Sequence, residues 1–143
     1  MNKFSSCIYP KKVKIYKCNR ESFSDIVIKH KIYSFSNDIL CQTFLDDEIT
    51  FYMYVNDIKE NKISHYLMSN VCISDQRLYN IIDIHEDVPG IDHIGIINYI
   101  SKFFLEQQIP ILYINTFSHN IILVSDEYME DVSLILKNIS HFS

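Results

Sequence analysis

Glycine is almost missing from this chain. Its 143 residues include two glycines, Gly90 and Gly95, with three prolines and no tryptophan. So little glycine leaves no phosphate-cradling loop and no sharp G-x-S-x-G nucleophile turn. No apolar run approaches the roughly 18–20 residues that a membrane helix needs, and the N-terminus MNKFSSCIYPKK lacks the apolar core of a signal peptide. Cys-x-x-Cys, His-x-His and His-x-x-x-His spacings are also missing, so no tight metal motif can be read from the order of residues. Positive charge is not in excess: the formal net charge is −5, which argues against a general nucleic-acid binder. Lys11, Lys12, Lys14 and Lys17 crowd one short segment and read as a solvated strand edge. Together these absences point to a cytoplasmic protein with no metal and no cofactor, contacting neither nucleic acid nor membrane.

Core material is plentiful. Hydrophobic residues make up 48% and charged residues 22%, with ten Tyr and nine Phe, as in a globular chain of one domain or two small ones. Cys7, Cys18, Cys41 and Cys72 lie in or beside apolar segments without tight spacing, and reduced, mostly buried thiols fit that placement best; a disulfide pair is the alternative, which no spacing supports.

Residues 1–11 read as a loose lead-in ending at Pro10. VKIYKC (Val13–Cys18) alternates like a half-buried strand, and NRESFSDIVIKH carries a helical stripe. Strands are expected over Ile39–Phe44 and Ile49–Val55, followed by a short helix in IKENKISHYL. The order then repeats: a strand at Arg77–Ile84, a loop HEDVPG, and a helix His93–Gln107 with Asp92 as N-cap. Strands Ile111–Thr116 and Ile121–Val124 come next, joined by the corner Phe117–Asn120. A last helix, capped by Ser125 or Asp126, runs to about Leu136. The reading is α+β: two consecutive βαββα units, residues 12–69 and 76–138, each a ferredoxin-like antiparallel sheet with helices on one face. Such small sheets expose edges, so units of this kind pair side by side or dimerise.

Both glycines flank the start of the helix at His93. Free backbone N–H groups there suit a carboxylate, and Gly95 would let a ligand approach closely. Alternatively Gly90 only turns the chain and Gly95 lets the helix pack on the sheet. The corner Thr116–Asn120 offers a hydroxyl, an amide and the ring of Phe117; a plain hairpin with a polar tip is the other reading. His85, Glu86, Asp87, Asp92 and His93 form a polar cluster that reads as solvated rather than metal-binding. Four Cys and six His fix no catalytic pair.

The segment Ile94–Val124 resembles an ACT domain. More narrowly, ILYINTFSHNIILVSDEYMEDVSLIL is similar to the tandem-ACT group that includes the CASTOR arginine sensors, with related modules in aspartate kinases. That group has a helix ending in "GI", a strand, S-T-[FY]-x-x-D, and an apolar strand closing on L-V. Here those positions read Gln108-Ile109, Asn115-Thr116-Phe117-Ser118-His119-Asn120 and Ile121–Ser125. The Asp after the corner is Asn120, and the chain corresponds to one tandem pair, where a CASTOR-type sensor carries two. The resemblance implies a non-catalytic sensor that binds an amino acid, arginine among the candidates, between ACT-like modules. It implies a homodimer or higher oligomer, and a regulatory protein partner that reads occupancy. The ligand-binding set it suggests is Gly95, Ile96, Thr116, Phe117, His119 and Asn120. A ligand-free oligomeric interaction module of the same fold is the alternative, and an enzyme or a detached regulatory subunit of one is a third.

Overall fold

The computed structural model describes residues 4–23, 34, 36–55, 72–86 and 93–143. These fall into two compact units: residues 1–10 with 79–143, and residues 11–78. Strand β1 (Phe4–Asn19) contributes to both.

In the unit of residues 11–78, β1 pairs antiparallel with β3 (Glu48–Val55), from Lys12 opposite Val55 to Asn19 opposite Glu48. Strand β2 (Ile39–Leu45) forms a hairpin with β3. The hairpin turns at Asp46 and Asp47, with Asp46 at φ 51°, a left-handed conformation that Asp tolerates better than most residues. Arg20 opens the helical turn α1 (Arg20–Phe23) and fixes that hairpin tip: its guanidinium donates to the Asp46 carbonyl at 3.0 Å, and its backbone N–H to that of Asp47. On the other side of β1 lies the short β4 (Cys72–Ile73).

Period-two alternation sorts β3 cleanly. Phe51 and Met53 are buried with Ile49, Tyr16, Cys18 and Cys72, while Tyr52 and Tyr54 are half-buried on the opposite face. Cys18 and Cys72 face each other across β1 and β4 and form a disulfide, so the expectation of four reduced thiols is corrected for this pair. Their separation of 54 residues hid the pairing, because only the sheet register brings the two together. The lysine-rich segment is corrected too. At Lys17 it is not a sheet edge, since β1 there has β3 on one side and β4 on the other. Lys17 meets Glu48 at 3.0 Å, and Lys11 lies over the Tyr54 ring. The helix expected beyond Phe23 and the one expected in IKENKISHYL lie outside the described residues.

In the unit of residues 1–10 and 79–143, β5 (Tyr79–Glu86) lies between β1 and β7 (Asn120–Ser125), and β6 (Leu112–Asn115) flanks β7 at the end of the order. Both pairings of β7 are antiparallel. The two units share a strand arrangement: in each, the second strand of a hairpin returns beside the unit's first strand, β3 beside β1 and β7 beside β5. The α+β reading with antiparallel sheets therefore stands. Helix α2 (His93–Glu106) buries Ile96, Ile100 and Phe104 at four-residue spacing. Helix α3 (Met129–Ile139) buries Val132, Leu136 and Ile139. Both stripes meet Ile82, Ile84, Ile122 and Val124 in one core. No side chain caps α3. A 3-10 turn at Asp126–Tyr128 precedes it, and Asp126 instead accepts from the Asn80 amide at 2.7 Å.

Helix α2 ends in a Schellman motif. The Ile109 N–H donates to the Phe104 carbonyl and the Gln108 N–H to that of Leu105, with Gln108 left-handed at φ 55°. Phe104 and Ile109 supply the apolar contact that accompanies this motif, both within the same core.

The lead-in expected over residues 1–11 is strand from Phe4 onward. Phe4 is 2% exposed and belongs to the core with Ile84 and Leu136. The chain's end returns to it: β8 (His141–Phe142) pairs parallel with Ser5 and Ser6, and the Ser6 and Ser140 hydroxyls meet at 2.6 Å in a buried contact. Among the described residues no helix is long and apolar enough to cross a membrane.

Candidate functional site

The corner between β6 and β7 is a tight turn held by its own polar groups. The Thr116 N–H donates to the His119 carbonyl at 2.9 Å, and the His119 N–H donates to the Thr116 hydroxyl at 2.9 Å. Phe117 stands at its tip, fully in solvent.

Sheet parity then separates the next two residues. Asn120 lies opposite Ile84 and Asn115, on the face that carries the helices, and its Oδ1 accepts from the Tyr113 hydroxyl at 2.9 Å. His119 reaches the opposite face, where its Nδ1 is 3.0 Å from Oδ2 of Asp83. The expected set is thus divided at the corner. Thr116 and His119 share one turn, whereas the Asn120 amide and the His119 imidazole point into different surroundings.

Gly95 sits in the first turn of α2, exposed, and an added Cβ there would meet nothing within 4 Å. Among the described residues its lack of a side chain therefore serves no packing of helix on sheet. Ile96, beside it, turns inward to the core and is 7% exposed, so it can shape such a site only from beneath. Gly90 and Asp92 lie outside the described residues.

The opposite face of the sheet holds a polar group that the order of residues did not reveal. Asp83 is buried to 2% exposure on β5, and its Oδ2 also lies 3.0 Å from Nε2 of His85, two residues along the same strand face. The Tyr9 hydroxyl from β1 reaches that oxygen at 3.4 Å. Cys7, two residues before Tyr9, completes the group. Burial raises the Cys7 thiol above its ordinary value and the Asp83 charge adds to this, with a hydrogen bond to the Asp83 backbone offsetting part of it. His85 and Glu86, expected in a loop, belong to β5. The local signal was the Asp83-x-His85 spacing on one strand face. Cys7 and His119 come from distant segments that only the fold brings near. Elsewhere, an open groove of about 500 Å³ runs along α2, lined by Lys102, Phe104, Leu105 and Ile109, away from both groups.

Residues 76–138 match the ACT domain family. No curated protein matches the chain. Among solved structures, an Agrobacterium tumefaciens protein superposes with a TM-score of 0.69 at 15% identity, covering 100% of this chain and 92% of its own. A Porphyromonas gingivalis chain, proposed to be a C-terminal regulatory domain of aspartate kinase, gives 0.60 at 14% identity over 95% and 94%. The aspartate kinase of Clostridium acetobutylicum, described as an allosteric enzyme, gives 0.63 at 15% identity; 90% of this chain matches 32% of that enzyme. The fold is ACT-like.

Proposed function

We propose that this protein is a non-catalytic regulatory module that binds a small metabolite, an amino acid, where ACT-like modules of two copies of the chain meet. The observation that carries the reading is the ACT match over residues 76–138 within a fold similar to aspartate kinase regulatory domains. The surface supports it. Strand β6 ends the strand order of its unit, with Leu112 and Tyr113 partly exposed and Phe117 beyond them fully exposed. An edge strand bearing apolar side chains is a template for a second copy. The open backbone at Gly95 would receive the carboxylate, with Thr116, Phe117, His119 and Asn120 at the corner holding the amino or side-chain end. Occupancy would then shift how the two copies associate, and a partner protein would read that change.

The second reading, a ligand-free interaction module of the same fold, has its own support. The corner's polar groups are already engaged: Thr116 within its turn, Asn120 with Tyr113, His119 with Asp83. A ligand would have to displace or share these bonds.

A thermal-shift screen of the purified protein against the twenty amino acids separates the two, with arginine the first to examine closely. A ligand at 100 times its dissociation constant adds about 2.7 kcal/mol of stability. A selective hit, weakened at least tenfold by Gly95→Val in calorimetry, supports the sensor. A flat screen on a folded oligomer leaves the interaction module.

A further inference from the structure

We propose that Cys7, Asp83, His85 and His119 form a binding site for one divalent transition-metal ion of the zinc class. The site lies on the sheet face away from α2 and α3, and it clips the N-terminal part of β1 to β5 and to the β6–β7 corner. This inference does not rest on amino-acid binding; the two readings share only His119.

The geometry is close to that of a coordination shell. One atom each of Cys7, Asp83 and His85 lies within 4.8 Å of the others. The two imidazole nitrogens each lie 3.0 Å from the same carboxylate oxygen of Asp83. Ligand atoms around a tetrahedral ion with bonds of about 2.0–2.1 Å sit about 3.3 Å apart. Asp83 already stands at such a distance from both imidazoles, whereas His119 lies outside the mutually close group of Cys7, Asp83 and His85, so rotation of its side chain and of Cys7 completes the shell. His85 and His119 are about half exposed, so their rings have room for that adjustment.

The chemistry selects the class of ion. A thiolate, two imidazoles and a carboxylate are a borderline-soft set that suits Zn²⁺ and its neighbours, whereas Mg²⁺ and Ca²⁺ prefer oxygen throughout. Four protein ligands close the shell, as in structural zinc sites, so the ion would hold strands together rather than activate water.

A hydrogen-bond network alone accounts for this cluster incompletely. Two imidazoles and the Tyr9 hydroxyl serve Oδ2, but Oδ1 of Asp83 is buried and has no hydrogen-bond partner among the described residues. Buried carboxylates are rare unless paired or bound to a metal, and an unsatisfied buried oxygen is costly. Asp83 stands on a strand whose neighbours Ile81, Ile82 and Ile84 are fully buried, where an apolar residue would otherwise be expected. A cation at the cluster neutralises the carboxylate where it stands.

The test uses the full chain, tag removed, stripped with chelator and kept without thiol reductant so that the Cys18–Cys72 disulfide persists. Titration with Co²⁺ reads the ligand set directly. The expected result is one equivalent bound, with tetrahedral visible bands and a thiolate-to-cobalt charge-transfer band, displaced stoichiometrically by Zn²⁺. Cys7→Ser should remove the charge-transfer band, and Cys41→Ser should leave it. His85→Ala and His119→Ala alter half-exposed side chains and should fold, as circular dichroism checks; each should weaken binding at least tenfold. Absence of stoichiometric binding to the folded protein overturns the proposal. So does a charge-transfer band that survives Cys7→Ser, or an affinity unchanged in both histidine variants.

Discussion

At the scale of single residues, the end of α2 shows how a scarcity of glycine is felt. Gln108 occupies the left-handed position of the Schellman motif at φ 55°, where glycine is the usual residue because it has no Cβ to clash. The "GI" of the resembling family falls on Gln108-Ile109, and the backbone there explains why glycine suits that place. Gln108→Gly should therefore stabilise the protein by about 1 kcal/mol, since a left-handed non-glycine residue costs roughly 1–2 kcal/mol. Urea denaturation of the two forms measures this, and an unchanged or lower midpoint contradicts it.

Cys41 gives a residue-scale prediction in pH. It stands opposite Tyr52 on β2, and burial pushes its thiol from 9.0 to about 11. The hydroxyls of Tyr52 and Tyr54 are raised as well, first by burial and then by the charge Cys41 would carry. The folded state thus holds these protons more tightly than the unfolded chain. The stability contributed by Cys41 is complete below pH 9 and is lost as pH rises through about 11. Alkylation of the native protein, followed by peptide mass spectrometry, should show Cys41 reacting with a midpoint near pH 11. Labelling at pH 8 as fast as a free thiol would contradict that. Neither Gln108 nor Cys41 was legible from its neighbours in sequence, because both properties depend on backbone conformation or burial that residue order does not state.

At the scale of elements, local periodicity was a good guide where an element is complete within one segment. The α2 stripe and the β6–β7 hairpin could be read because Ile100, Phe103 and Phe104 recur at helical spacing and Ile121–Val124 is an uninterrupted β-forming run. Strand β1 was half missed for a physical reason. Pro10 donates no hydrogen bond and reads as a break, yet here it lies within the strand, where β1 passes from one compact unit's share to the other's. Phe4 is the consequence. It is 2% exposed within the core of α2, α3 and β5, although it comes from the segment that looked like a lead-in. Phe4→Ala should cost about 3–5 kcal/mol, the range for truncating a buried aromatic. Hydrogen exchange should show the loss of protection in β5, α3 and β8 first. A change under 1 kcal/mol would place Phe4 outside the core.

At the scale of the whole molecule, the decisive property is what the chain leaves uncovered. Strand β6 closes the strand order of its unit with Leu112 at 41% and Tyr113 at 39% exposure, and Phe117 stands beyond it with no cover at all. A second copy laid along this edge would satisfy its outward backbone groups and cover Leu112 on one face of the sheet and Tyr113 on the other, with each copy's Thr116–Asn120 corner at an end of the paired strands. Light scattering should then report about twice the 17.0 kDa chain mass at micromolar concentration. Leu112→Lys with Phe117→Asp should return the protein to the monomer. Phe117 lies wholly in solvent, so its substitution should move the stability of the isolated chain by no more than about 0.5 kcal/mol, and that of Leu112, which is 41% exposed, by about 1 kcal/mol. The same variant discriminates where a ligand sits. If an amino acid stabilises the wild-type protein and not the monomeric variant, the site needs both copies, and association is the quantity that occupancy controls. If the response survives in the monomer, the site is complete within one chain. A variant that stays dimeric moves the interface away from β6, and with it the reason for placing a ligand at this corner.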